Sequence, residues 1–337
     1  MASSPINTTK PPVIGIALGS GSARGWAHIG VLEGLEAIGV QPQVIAGTSI
    51  GSLVGAVYVS GQLKEFSEWV QKLSARDVFS LLDFTLSGGM VKGQKLFGFF
   101  EEVHKNPLIE TLDRRFVSVA TDMKTGREIW ITKGPILPAA RASCAIPGIF
   151  SPVKFEDRWM LDGGLVNPVP VSAARALGAD IVIAVNLNAQ LVGAHVSMAS
   201  QGEQVAPESV PKIERSFWQR AGEYFTSSTS DNPSFFDVVA SSINIMQDRI
   251  TRSRMAGDPP EITLVPMLED FALMDFHRAK EAIREGRRLV EEHASSIRAW
   301  AGIAAPSKVA ANTGAAPEGV AAPDLPPGAV PAQSANL

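Results

Sequence analysis

Cysteine is nearly absent from the sequence, since Cys144 is the only one in 337 residues. A single cysteine excludes an internal disulfide and is typical of a protein from a reducing compartment. An unbroken apolar run of about 18 residues, the length that a membrane-spanning helix needs, is also missing. Residues 1–12 lack the basic start and apolar stretch of a secretory signal. We therefore expect a cytoplasmic protein, with peripheral contact at the inner membrane face left open.

Concentrated positive charge is missing as well. Lys and Arg number 30 against 34 Asp and Glu, and the formal net charge is −4. Phosphate backbones are bound by clustered Lys and Arg, so nucleic acid is not an expected partner. Hydrophobic residues, by contrast, make up 45% of the chain, enough for a large core.

The first fifty residues contain two strand–turn–helix units. Residues 13–18 read as a buried strand, followed by a small-residue loop at 19–25 and helical periodicity at 26–39. A second strand at 43–47 runs through the letters GTSIG into a second helix. Such repetition predicts an α/β fold with a parallel sheet covered by helices.

Hydrophobic patterning places the remaining elements and the domain limits. It predicts strands at 116–121, 128–132, 158–164, 180–187 and 261–266, and helices at 137–144, 171–179 and 274–300. Residues 188–235 are polar and irregular, which indicates an insertion in a folded domain that spans 13–303. The ends, 1–12 and the Ala- and Pro-rich 304–337, cannot form a core and are expected to be disordered.

Ser49 lies between two glycines, Gly47 and Gly51, in a G-x-S-x-G motif. In a nucleophile elbow the glycines permit a strained turn that places the serine between a strand and a helix. The helix N-terminus then favours developing negative charge near the hydroxyl. The alternative is that Ser49 or Thr48 merely caps the helix, and the motif alone does not decide between them.

The loop GSGSARG at 19–25 has two functional interpretations. A dinucleotide loop requires glycine at its sixth position, where this sequence has Arg24, and Gly25 comes one residue late. Nucleotide binding is therefore not predicted. The other interpretation is an oxyanion hole of backbone N–H groups, and an ordinary tight turn is a third. Arg24 could hold the shape of such a loop or meet an anionic head group.

A nucleophilic serine needs a base, and none of the five histidines has a suitable context. His28 is too close to the glycine loop and reads as a buried structural residue. The sequence around His104 and His195 shows no pattern that supports a catalytic role. His277 and His293 lie in a charged amphipathic helix. Asp162 is a better candidate, because it ends a strand before Gly163 and Gly164, which permit close backbone approach. Partial burial would raise its basicity.

Taken together and in order, these motifs resemble those of the patatin-like phospholipase family, in its bacterial group of neuropathy-target-esterase-like proteins. The resemblance covers about residues 13 to 300. The matching stretches are LGSGSARG (18–25), HIGVL (28–32), GTSIG (47–51), ATDMKTGRE (120–128), RASCAIPGIFSPV (141–153), DGG (162–164), MAGDPPEITLVP (255–266) and DFHRAKEAI (275–283).

The resemblance implies a three-layer α/β/α fold with a mainly parallel central sheet and a serine elbow. It implies a serine lipid acyl hydrolase, of phospholipase A or lysophospholipase type, that works through an acyl-enzyme without metal or cofactor. Ser49 would be the nucleophile, Asp162 the base, and no histidine would take part. The oxyanion hole would use backbone N–H groups of Ser20, Gly21, Ser22 and Ile50. An acyltransferase with the same dyad, or a regulatory or scaffolding protein with little turnover, remains an alternative.

The glycine loop departs from the family pattern, which more often has unbroken glycine where Ser20 and Ser22 stand. Their N–H groups remain, so the hole survives if neither position needs a positive φ. Two stretches, 77–100 and 215–225, are candidates for an apolar substrate entrance, with plain core packing as the alternative. Cys144 reads as a small buried residue beside the site, and not as a nucleophile.

Overall fold

A computed structural model of the chain describes residues 11–81, 106–190 and 235–303. Its centre is an eight-stranded sheet in the order β5-β6-β3-β2-β1-β7-β8, with β4 paired to β3. The strands are β1 Ile14–Leu18, β2 Val44–Thr48, β3 Arg115–Asp122, β4 Glu128–Ile131, β5 Val153–Phe155, β6 Arg158–Asp162, β7 Ile181–Val185 and β8 Ile262–Leu264.

The sheet is parallel from β3 through β2, β1 and β7 to β8. Its other strands are antiparallel, because β4 and β6 both pair with β3 in the opposite direction and β5 pairs with β6. Parallel strands need crossover connections, and helices provide them here. The prediction of a mainly parallel sheet is confirmed for the centre, and the antiparallel strands make the whole sheet mixed.

The helices cover both faces of the sheet, which confirms the three-layer architecture. They are α1 Ala27–Ala37, α2 Ile50–Val59, α3 Leu63–Val70, α4 Ala75–Leu81, α5 Ile136–Ser143, α6 Val171–Ala176, α7 Phe235–Gly257 and α8 Ala279–Trp300. On one face Ile16, Leu18 and Ile183 pack with apolar residues of α1, α2 and α8. On the other face Ala17 and Ala46 pack with residues of α6.

Most of the predicted elements are found within one or two residues of their expected limits. One correction concerns α8, which begins at Ala279 and not at 274, because residues 276–278 form a separate 3₁₀ turn. Four elements were not predicted, namely α3, α4, β5 and α7. In α7 the exposed side carries Val238, Ile245 and Met246, so its hydrophobic residues do not trace one buried stripe.

Several expectations fall largely outside the described residues. They are the disordered ends, most of the 188–235 insertion, residues 82–100 of the first entrance candidate and the whole of 215–225. The domain limits 13–303 therefore stay a prediction. Within the three described ranges, no helix combines the length and the apolar character needed to cross a membrane.

Candidate active site

The ends of two strands bring Ser49 and Asp162 together on β3. Thr48, the last residue of β2, pairs with Val119, and Asp162, the last residue of β6, pairs with the adjacent Ala120. Ser49 follows Thr48 directly. Because β2 and β6 end at neighbouring positions of the same strand, residues 113 positions apart in sequence become neighbours in space.

Ser49 has the strained backbone of a nucleophile elbow, with φ of 57° and ψ of −128°. Such a conformation costs a residue with a side chain about 1–3 kcal/mol. A Cβ at Gly47 would lie 2.5 Å from Ser52 Cα, and a Cβ at Gly51 would overlap the carbonyl oxygen of Leu18. The tight turn therefore requires glycine on both sides of the serine.

The Ser49 hydroxyl donates a 2.6 Å hydrogen bond to Oδ2 of Asp162. The other carboxylate oxygen, Oδ1, accepts the backbone N–H of Gly164 at 2.7 Å. The Ser49 side chain makes no capping bond to α2, so the alternative role of helix cap is not the one in the structure.

Asp162 has no exposed surface. Burial raises the pKa of its carboxyl group to about 7, against the opposing effect of hydrogen bonds from Ser49 and Gly164, which favour the charged form. A carboxyl group with a pKa near neutrality is suited to accept a proton in one step and return it in the next.

Four backbone N–H groups were predicted to form the oxyanion hole, and their hydrogen-bond partners differ. The N–H of Ser20, one of the four predicted donors, instead donates to the carbonyl oxygen of Pro168 at 2.8 Å. This contact corrects its predicted place in the hole. The remaining three make no hydrogen bond to the described part of the chain: those of Gly21, Ser22 and Ile50.

Ser22 adopts a positive φ of 50°, whereas Ser20 does not. One of the two serines in the loop thus occupies a conformation that glycine would adopt without strain. The Ser22 hydroxyl donates to the carbonyl oxygen of Leu273 at 2.6 Å, and the Ala23 N–H donates to the same oxygen at 3.2 Å. These bonds hold the loop in place despite the strain.

Arg24 is buried, with only 2% of its surface exposed. Its guanidinium donates to Oδ1 of Asn188 at 3.1 Å and to the carbonyl oxygen of Phe271 at 3.4 Å. Burial lowers its pKa to about 10, so it stays charged at neutral pH. Both of these contacts are with the protein itself, as the loop-holding role requires. Gly25 supports the same packing, because a Cβ there would overlap the side chain of Ile50.

Among the residues that the structure describes, no histidine contacts the serine hydroxyl, whose partner is a carboxylate. His28 is fully buried, its Nε2 lies 2.8 Å from the carbonyl oxygen of Gly19, and burial lowers its pKa to about 4. A neutral ring that donates to this carbonyl supports the glycine loop, as expected for a structural residue. His277 and His293 lie at or in α8, and the structure does not describe His104 and His195.

Sequence reasoning missed Ser143, at the end of α5. Its hydroxyl accepts the backbone N–H of Ser49 at 2.8 Å and donates to the carbonyl oxygen of Val119. The block RASCAIPGIFSPV contained the residue, but nothing in its pattern indicated a contact with Ser49. The next residue, Cys144, has its pKa raised by burial and by the charge of Asp162, so its thiol stays protonated.

The space beside the glycine loop is small in the described part of the chain. A cavity of about 10 Å³ is lined by loop residues and by Ile243 and Gln247 of α7. Such a volume holds at most one water molecule, so these residues alone do not form an acyl-binding cavity. Among the described residues, no group of three or more His, Cys, Asp or Glu side chains is placed to hold a metal ion.

Comparison with known proteins gives similarities along most of the chain. Residues 16–175 match the family model described as "Patatin-like phospholipase". An uncharacterised NTE family protein of Mycobacterium tuberculosis (strain ATCC 25618 / H37Rv) is 30% identical over 85% of this chain and 92% of its own length. Lysophospholipase NTE1 of Coccidioides immitis (strain RS) is 26% identical over 86% of this chain, which covers 18% of that protein. The structure of VipD from Legionella pneumophila aligns at a TM-score of 0.36 and 11% identity, over 86% of this chain and 79% of that one.

Proposed function

Since the chain belongs to the patatin-like phospholipase family, we propose that it is a serine lipid acyl hydrolase with Ser49 and Asp162 as its catalytic dyad. The observation that carries the proposal is the 2.6 Å hydrogen bond from a serine at a strained elbow to a fully buried carboxyl group. Neither group would be placed in this way for stability alone, because strain and burial of a charge both oppose folding.

In the proposed first step, Ser49 Oγ attacks the carbonyl carbon of an ester while its proton passes to Asp162 Oδ2. In this proposal the tetrahedral oxyanion is stabilised by the N–H groups of Gly21, Ser22 and Ile50, which have no hydrogen-bond partner among the described residues. The positive end of the α2 dipole acts in the same direction. The leaving alcohol takes the proton from Asp162, and an acyl-enzyme remains.

In the second step a water molecule attacks the acyl-enzyme. Asp162, now ionised, accepts a proton from that water, and the collapse of the second tetrahedral intermediate returns a proton to Ser49 as the fatty acid leaves. The same carboxyl group acts as base and then acid in each half of the cycle. A group that acts as both base and acid needs a pKa near the working pH, and burial raises the pKa of Asp162 to about 7.

The substrate class we propose is a phospholipid or lysophospholipid acyl ester. Support comes from the family and from fungal relatives that are named lysophospholipases, although the chain spans only 18% of their length. Such substrates reside in membranes and micelles, so peripheral contact with the inner membrane face, from the cytoplasm, belongs to the proposal. Residues 13–303 would carry the activity, and residues 304–337 would be dispensable for it.

The test is fatty-acid release from lysophospholipid micelles and mixed phospholipid micelles, with Ser49→Ala and Asp162→Asn as variants. The proposal expects release by the wild type and loss in both variants, with unchanged circular dichroism. Release of acylated product on addition of a simple alcohol, in place of free acid, would indicate an acyltransferase. An inert wild type that also fails to react with a fluorophosphonate would favour the regulatory alternative.

A further inference from the structure

One short segment contacts both members of the proposed dyad. At residue 143 the serine hydroxyl accepts the Ser49 N–H at 2.8 Å, and two residues later the carbonyl oxygen of Ala145 accepts the Asp162 N–H at 2.9 Å. The Ser143 hydroxyl also donates to the carbonyl oxygen of Val119, the residue of β3 that pairs with Thr48. Nucleophile, base and the strand between them are therefore joined through residues 143–145.

The Ser49 N–H has a particular need for this partner. Residue 49 is 2% exposed and its positive φ takes it out of the regular geometry of β2, so its N–H must find an acceptor within the protein. Loss of the acceptor would leave a buried donor unsatisfied, at a cost of about 1–3 kcal/mol. A hydroxyl can accept this bond and donate to Val119 at the same time, which an apolar side chain cannot do.

We infer that Ser143 is a positioning residue, which holds the Ser49 backbone at the elbow so that its hydroxyl reaches Asp162. This inference rests on the proposed function and names a residue through which the dyad is held. Ser143 does not touch the reacting atoms. It acts through the backbone of Ser49, while Ala145 fixes the backbone of Asp162 from the same segment.

The chain offers a matched control in Ser118. Its hydroxyl accepts a bond from Ser52 Oγ at 2.7 Å and donates to the carbonyl oxygen of Ala139 in α5 at 2.8 Å. Both Ser118 and Ser143 are fully buried, and both link α2 or its turn to a backbone carbonyl. Of these two serines, only Ser143 forms a hydrogen bond with residue 49. Ser118→Ala therefore removes the same buried hydroxyl oxygen, from β3 and not from α5, without releasing the nucleophile.

The experiment measures the rate constant for covalent labelling of Ser49 by a fluorophosphonate, per folded molecule, across pH 5 to 9. Ser143→Ala is expected to lower this rate by about 10- to 100-fold, because a misplacement near 1 Å has effects of that size. Ser118→Ala should stay near the wild-type rate. Ser143→Thr, which keeps a donor and an acceptor, should restore much of the loss.

The pH midpoint separates positioning from general damage. The bond from Ser49 lowers the pKa of Asp162, so its loosening in Ser143→Ala should move the midpoint to higher pH. General damage would reduce the rate at an unchanged midpoint. If Ser143→Ala does not fold, Ser143→Cys, which keeps the size but weakens both bonds, should show the same shift.

Three results would overturn the inference alone. They are a wild-type rate and midpoint in Ser143→Ala (or in Ser143→Cys, if the alanine variant does not fold), a lower rate at an unchanged midpoint in that variant, or an equal loss in Ser118→Ala. A wild-type protein that is not labelled at Ser49 at all would overturn the proposed function, and the positioning role with it. Labelling of the wild type at Ser49, with a lower rate and a higher midpoint in Ser143→Ala (or in Ser143→Cys, if the alanine variant does not fold) but not in Ser118→Ala, would support the positioning role and a nucleophilic Ser49, while fatty-acid release tests the lipid substrate.

Discussion

The hydroxyl of Ser49 lies 2.6 Å from Oδ2 of Asp162, a carboxyl group that has no contact with solvent. Burial has two consequences for such a group. Burial raises the pKa of the carboxyl group into the range where it can exchange protons at neutral pH. Burial also means that the charged form of the carboxyl group destabilises the folded state. Activity and stability should therefore respond to pH in opposite directions.

The first prediction concerns activity and pH. With the pKa of Asp162 at about 7, the base is protonated and inactive at low pH and ionised at high pH. The value of kcat/KM for a soluble ester should therefore fall about tenfold per pH unit well below pH 7, and level off above it. A constant kcat/KM between pH 5 and 8 would contradict the assignment of Asp162 as base.

The second prediction concerns stability. The pKa of Asp162 is about 7 in the folded protein against an ordinary 3.8, so its contribution to stability is largest below pH 3.8 and is lost as pH rises through 7. At about 1.4 kcal/mol per pH unit, the full loss is on the order of 4 kcal/mol. Asp162→Asn should therefore raise the melting temperature at pH 8 and have less effect at pH 5.

Two comparisons make this measurement specific. Asp157→Asn is the control for Asp162→Asn, because Asp157 is exposed. This control substitution should leave the melting temperature nearly unchanged at both pH values. His28, with a pKa lowered to about 4, acts in the opposite direction, because its contribution is lost as pH falls below its ordinary 6.5. The difference between variant and wild type, and not the wild-type curve alone, therefore isolates Asp162.

The third prediction concerns the turn. A Cβ at Gly51 would overlap the carbonyl oxygen of Leu18 and lie 2.8 Å from that of Gly19, both backbone atoms that cannot move away cheaply. Gly51→Ala should lower the free energy of unfolding by about 1–3 kcal/mol or more, measured in urea. Gly257→Ala is the control, since a Cβ there meets nothing within 4 Å and should change stability by less than about 0.5 kcal/mol.

The fourth prediction compares two serines of the glycine loop. Ser22→Gly and Ser22→Ala both lose the bond to Leu273, but only alanine retains a side chain at positive φ. Ser22→Gly should therefore be more stable than Ser22→Ala, by about 1 kcal/mol. At Ser20, where φ is not positive, alanine should be the more stable replacement. The same order at both positions in thermal melts would refute this account of the loop.

The sequence contains enough information to predict the layers and to name Ser49 and Asp162, which the structure joins by a hydrogen bond. Strand–turn–helix repetition with buried apolar strands predicted the α/β fold, and the order of the GTSIG and DGG motifs placed Ser49 and Asp162 as partners. These two residues become neighbours because β2 and β6 both pair with β3 and end at adjacent positions of it. No local sequence pattern reveals this pairing. The resemblance to a family provided that link, because motif order implies a shared topology.

Contacts between distant backbone atoms could not be predicted in the same way. The Ser20 N–H was expected in the oxyanion hole because Ser20 belongs to the glycine loop, but in the structure it donates to the carbonyl oxygen of Pro168. Ser143 was overlooked because serine at a helix end is common, and only the tertiary fold places it beside residue 49. Helix α7 was missed because its apolar residues lie on exposed as well as buried sides.

The most direct test of the dyad is labelling with a fluorophosphonate followed by peptide mass spectrometry. The account predicts one adduct, on Ser49, at a rate that Asp162→Asn reduces strongly and that His277→Gln and His293→Gln leave unchanged. An adduct on another residue, a wild-type rate in Asp162→Asn, or a loss of labelling in either histidine variant would contradict a serine–aspartate dyad that works without histidine.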